Sequence, residues 1–180
     1  MSVSYVDYYR SNSSVAVTVL ALAAVAVVVA LAVPRRRLLT ALTGVSLAGV
    51  LGLTLVPVGG WSDLWFTPGA LRSMVVNLQP DGRSLHAWVA TGDGPLNVLL
   101  FLPLGLCGAL LTRRPVTTAV AATLLSVGIE CWQSSLTTRV GSLADVCCNG
   151  LGAVVGAALA AVLLAGAHLR PASAAGRHGS

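Results

Sequence analysis

GIECWQSSLTTRVGSLADVCCNGLGAVVG, residues 128–156, sets a glutamate, a glutamine, an arginine, an aspartate and an asparagine between two apolar runs. A membrane helix needs about 20 predominantly apolar residues to cross a ~30 Å hydrocarbon core. The runs on either side of the polar cluster, about 116–133 and 142–167, are each long enough. Polar side chains that close to a bilayer cost free energy, so each needs a partner or a task.

Three more runs lie upstream. Val15 to Val33 carries no charge and is followed, not preceded, by Arg35–Arg37, which argues for an uncleaved span rather than a signal peptide. Pro34 ends it, and 38–56 forms the second span, with Gly44, Gly49 and Gly52 available for close helix contact. Pro95 is suited to a first helical turn and opens the third span, 96–111. That span is short, and Pro103 inside it removes one backbone hydrogen bond, predicting a kink. The fold class is therefore an all-α integral membrane protein, a bundle of about five transmembrane helices with a long loop, 57–95, between the second and third. The transmembrane domain spans 15–167, preceded by the segment 1–14 with Tyr5, Tyr8 and Tyr9, and followed by a polar tail, 168–180. The loop carries Trp61, Trp65, Phe66 and Trp88, residues that favour headgroup depth, and Ala70 to Leu78 reads as a short amphipathic or re-entrant helix.

Composition agrees. Charged residues make up 9%, against about 25% in ordinary soluble domains. All the cationic side chains other than histidine are arginines, giving a net charge of +5. They cluster at the ends of apolar runs, as membrane topology demands, and no basic-aromatic stripe suggests nucleic acid. The lack of lysine with abundant Ala, Val, Gly and Arg points to a GC-rich coding sequence and a bacterial cytoplasmic membrane. Cys107, Cys131, Cys147 and Cys148 sit in apolar surroundings without a Cys-x-x-Cys pair, so they read as packing residues and no zinc site is expected.

Five spans put Arg35, Arg36, Arg37, Arg113, Arg114, Arg170 and Arg177 on one side and Arg10, Arg72, Arg83 and Arg139 on the other. The richer side is cytoplasmic by the positive-inside rule, which leaves the N-terminus and the 57–95 loop outside and the C-terminal tail in the cytoplasm. All five aspartates fall on the external side. Asn97, Glu130, Gln133, Asp145 and Asn149 then converge at one level near the outer surface.

Glu130 and Gln133 share a helix face, as do Asp145, Asn149, Gly152 and Gly156 at spacings of four, three and four. The simplest packing sets this second face against the fourth span, so that Glu130 faces Asp145 and Asn149, with Arg139 between the carboxylates. Two carboxylates and one arginine suit acid/base work, proton coupling or a ligand's cationic group. Structural roles are available too. Ser142-x-x-Asp145 matches a capping box, Asn97 and Asn149 suit interhelical hydrogen bonds, Gln133 suits the water boundary, and Gly152-x-x-x-Gly156 suits helix packing. Glu130 resists a helix-end role, because an acid is unfavourable at the C-terminal end of its own helix, and its structural alternative is a bridge to Arg139. Oxygen ligands from Glu130, Asp145 and Asn149 are conceivable for a divalent ion, but the neighbouring arginine argues against a metal, and no cofactor is expected.

Four pieces resemble the VanZ-like family of small bacterial membrane proteins: Asn77-Leu78-x-Pro80, Asn97-x-x-x-Phe101-x-Pro103-Leu104-Gly105, Glu130-x-x-Gln133, and Arg139-x5-Asp145-x3-Asn149-Gly150-x-Gly152. The family often has an aromatic where Asp81 stands, and Asp or Ser at the place of Ser142. The resemblance implies a cell-envelope protein, the family's name coming from a protein associated with resistance to the glycopeptide teicoplanin, with no established reaction. Three functions follow for consideration. The first is binding of an envelope lipid, a precursor or a lipophilic glycopeptide at the outer face, the second an intramembrane enzyme using Glu130 or Asp145 as acid/base, the third a proton-coupled carrier. The partners this implies are membrane lipid and such a ligand, not nucleic acid; the oligomeric state stays open.

Overall fold

The computed structural model describes residues 13–66, 68, 72, 84–90 and 93–168. Tyr5, Tyr8, Tyr9, the Asn77-Leu78-x-Pro80 motif, Asp81, the Ala70–Leu78 segment apart from Arg72, and the tail beyond His168 lie outside the described residues.

Six α-helices are described: α1 (Ser13–Ala32), α2 (Arg37–Leu55), α3 (Leu85–Ala90), α4 (Gly94–Thr112), α5 (Pro115–Ser135) and α6 (Leu143–His168). All but the short α3 are long and apolar enough to span a bilayer, and the chain is a multi-pass membrane protein. Proline sets several helix starts. Pro34 opens a 3-10 turn that leads into α2, Pro95 lies in the first turn of α4, and Pro115 begins α5. Arg113, at φ +58°, ends α4 in the left-handed conformation, its N–H donating to the Ala109 carbonyl at 2.8 Å. α4 extends beyond the predicted 96–111 at both ends, so the third span is not short; the helix also continues on both sides of Pro103. In the long loop, Ser84 caps α3, its Oγ accepting the Ala87 N–H at 3.3 Å.

α4, α5 and α6 form the centre of the bundle, with α2 against α4 and α1 packed on α2. The core between α2, α4, α5 and α6 is built from Val50, Phe101, Leu104, Ala122, Ile129 and Ala153. A second cluster of Ala109, Ala157 and Ala160 continues it along α4 and α6. The small-residue face of α6 corrects the simplest packing read from the sequence: it lies on α4, not on α5. A Cβ on Gly152 would collide with the Val98 carbonyl, one on Gly156 with the Leu102 carbonyl, and one on Gly105 with the Ala153 carbonyl. Glycine on both helices lets two backbones approach to a distance no other residue permits. α1 leans on α2 in the same way, through Gly44 against Ala26 and Gly52 against Val19, whereas Gly49 meets nothing. Most of α1 otherwise exposes valine and leucine, as lipid contact requires. All four cysteines are free thiols.

Candidate functional site

The last carbonyls of a helix lack intrahelical partners. At the end of α2 they find them on residues some eighty positions later. Gln133 Nε2 donates to the Thr54 carbonyl at 2.9 Å, and Trp132 Nε1 to the Leu55 carbonyl at 3.0 Å. Arg139 spans the rest: its Nε and Nη2 donate to the Val56 carbonyl at 3.1 and 2.8 Å, and Nη2 also reaches the Leu53 carbonyl at 3.3 Å. Four consecutive carbonyls, 53 to 56, are thus bonded by three side chains. A guanidinium suits this place because the C-terminal end of a helix carries partial negative charge and its fork reaches two acceptors at once. The sequence reading pairs Arg139 with the carboxylates. In the structure its hydrogen bonds go to α2, although its charge still acts on Glu130. Gln133 does not mark a water boundary either, since α5 runs on to Ser135 and Gln133 is buried.

The start of α6 solves the same problem with donors. Ser142 is its cap, Oγ accepting the Ala144 N–H at 3.1 Å. In a capping box Asp145 would reach back to the Ser142 N–H. Instead, Glu130 from α5 takes that donor, Oε2 lying 2.9 Å from the Ser142 nitrogen. Gly141 makes this possible by folding flat against the Glu130 carbonyl and the Ser134 hydroxyl, where a Cβ would collide. Glu130, only 2% exposed, therefore does serve a helix end: not that of its own helix but the N-terminus of the next, where negative charge is favoured.

Asp145 is left free for a different partner. Its Oδ1 accepts from Asn97 Nδ2 at 2.7 Å, joining α6 to α4. Asp145 is half-buried, and the Asp93 carboxylate at the start of α4 lies close enough to act on its charge. One turn deeper, Asn149, 2% exposed, donates from Nδ2 to Ser126 Oγ on α5 at 2.9 Å, while its Oδ1 has no partner. Ser126 and Asp93 were not among the candidates from sequence. A lone serine in an apolar run and an aspartate just before a helix start carry no signal beyond tolerance and helix capping.

The loop after α2 lies over this end. Gly59 and Gly60, both at φ +91°, turn the chain there. Phe66 forms a single antiparallel bridge with Leu136, and the Thr137 N–H donates to the Trp65 carbonyl at 3.0 Å. The Phe66 ring meets Trp132 edge to face at 5.8 Å. Trp65 and Phe66 nevertheless stay 68% and 58% exposed, a rim beside the loop that carries Arg139 and leads into α6. The structure therefore gathers Asn97, Glu130, Gln133, Arg139, Asp145 and Asn149 at one end of the bundle. Within that group it divides them between two helix-end networks, one interhelical carboxylate–amide pair, and one buried amide half satisfied.

No curated protein and no solved structure matches the chain. A model of the VanZ/LLP1 family does match, over residues 16–164, a stretch that takes in all but the outermost ends of the five spans; the chain belongs to the VanZ/LLP1 family.

Proposed function

We propose that the end carrying Glu130 and Asp145 faces the cell exterior, and that it binds an amphiphilic component of the envelope there: a lipid, a lipid-linked precursor or a lipophilic glycopeptide of the teicoplanin type. The observation that carries this reading is the exposed aromatic rim of Trp65 and Phe66 on the same end as the half-buried Asp145 and neighbouring Asp93. Aromatic rings at headgroup depth take an apolar body. A pair of carboxylates takes an amino group or other donors. Glu130 and Arg139 are occupied with helix ends, which supports binding over an acid/base reaction at Glu130.

Binding to the purified protein, with teicoplanin as probe, tests the reading. Asp145→Asn and the double variant Trp65→Ala/Phe66→Ala are each expected to weaken it about tenfold, in the range of a single charge-assisted hydrogen bond or a buried aromatic contact. Wild-type affinity in both variants would remove the site. A lipid species that disappears from a deletion strain and returns only with catalytically intact protein would favour an enzyme instead.

The orientation rests on arginine. Arg35, Arg36, Arg37, Arg113 and Arg114 flank the opposite end of the bundle. Alkaline phosphatase fused after Gly141 is expected to be active and after Arg114 inactive; the reverse pattern would overturn the assignment.

A further inference from the structure

The far end of the bundle has a different character. A cleft of about 660 Å³ opens there between α2, α4 and α5, a size typical of small-molecule pockets, roughly 300–1,000 Å³. Small side chains make the space: Thr43 on α2, Gly108 on α4, Thr118 and Ala121 on α5. Arg114 and Thr117, in the turn that starts α5, also line it. Arg36 donates to the Leu111 carbonyl and so ties the α1–α2 link, with Arg35 and Arg37, to the α4–α5 link, with Arg113 and Arg114. Among the described residues the carboxylates, Asp63, Asp93, Glu130 and Asp145, all belong to the opposite end, so these five arginines face no acid.

An apolar cleft within a bilayer fills with hydrocarbon, and uncompensated arginines at a membrane surface draw anionic headgroups. The N-terminus of α5 adds partial positive charge beside Arg114. A guanidinium fork suits phosphate oxygens better than a point charge does. We propose that this cleft seats one acyl chain of an anionic phospholipid, whose phosphate is held by Arg114 at the start of α5, in the leaflet next to the arginine-rich links. The site is separate from the proposed outer-face site and stands or falls independently of it.

Native mass spectrometry of the full-length protein tests this, with phosphatidylglycerol and phosphatidylcholine of identical acyl chains supplied in equal amounts. The wild type is expected to retain phosphatidylglycerol over phosphatidylcholine by about fivefold or more, the factor one interfacial arginine confers. Arg114→Gln, at an exposed position, is expected to lower that ratio about fivefold. Ala121→Leu, which narrows the cleft from an exposed helix face, is expected to reduce retention of both lipids, with thermal unfolding of each variant confirming an intact fold. Equal retention of the two lipids by the wild type would overturn the proposal, and so would an unchanged ratio in Arg114→Gln. Displacement of phosphatidylglycerol by inorganic phosphate alone, with Ala121→Leu having no effect, would also overturn it by showing an ion site without an acyl chain.

Discussion

Glu130→Leu is expected to destabilise the protein by about 1–3 kcal/mol, the cost of leaving a buried donor unpaired, here the Ser142 N–H. Glu130→Gln is expected to cost much less. The amide keeps an oxygen that accepts from the same N–H, and it brings no charge into a site that is 2% exposed, where desolvation opposes ionised groups. The contrast between the two variants isolates the hydrogen bond. Thermal unfolding in detergent reads it directly, and equal transitions for leucine and glutamine would show that the cap on α6 contributes nothing. Glu130→Gln is accordingly a fair probe of chemistry at this position, whereas leucine is a probe of fold.

Gly152→Val and Gly156→Val together are expected to have the larger effect. Each puts branched side-chain atoms where a single Cβ already collides with a carbonyl of α4, Val98 in one case and Leu102 in the other. A carbonyl within a helix cannot rotate away, so the helices must separate. Overpacking of this kind costs typically about 1–3 kcal/mol per site, and the double variant is expected not to accumulate in the membrane. Gly49→Ala and Gly166→Ala supply the control. Neither position has an atom within 4 Å, and exchanging glycine for alanine within a helix stabilises by up to about 1 kcal/mol. Membrane accumulation and unfolding midpoints check the series. A Gly152→Val protein as stable as the wild type would mean that the α4–α6 contact is not as close as described.

The spans were legible in the sequence because their signal is local. Uninterrupted apolar runs and the prolines at 34, 95 and 115 mark five helices to within a few residues. Ser142 was legible for the same reason, since a cap acts on its own helix. What was hidden is everything that acts between helices. Nothing near Arg139 says that its partners are the Leu53 and Val56 carbonyls, because backbone acceptors carry no residue identity. Nothing in the sequence singles out Trp132, whose indole N–H closes the Leu55 carbonyl. Glu130 seemed misplaced only because its own helix was considered. The choice of α4 rather than α5 as the partner of Gly152 and Gly156 depended on Gly105, whose part in the contact shows only when both helices are seen together. The binding role proposed for this end rests on the aromatic rim and the carboxylates rather than on spacing.

The capping of α2 also bears on how the chain is assembled during synthesis. When α2 first enters the membrane, the side chains that bond its last four carbonyls have not been made, since the final one belongs to Arg139. Until then those carbonyls have water or headgroups as partners, which holds that end of the helix at the interface rather than within hydrocarbon. The emergence of residues 130–142 then closes two helix ends together: the C-terminus of α2 through Trp132, Gln133 and Arg139, and the N-terminus of α6 through Glu130 and Ser142. A single short stretch thus acts as the clasp of the bundle, converting a row of inserted helices into a folded one once α6 has followed it.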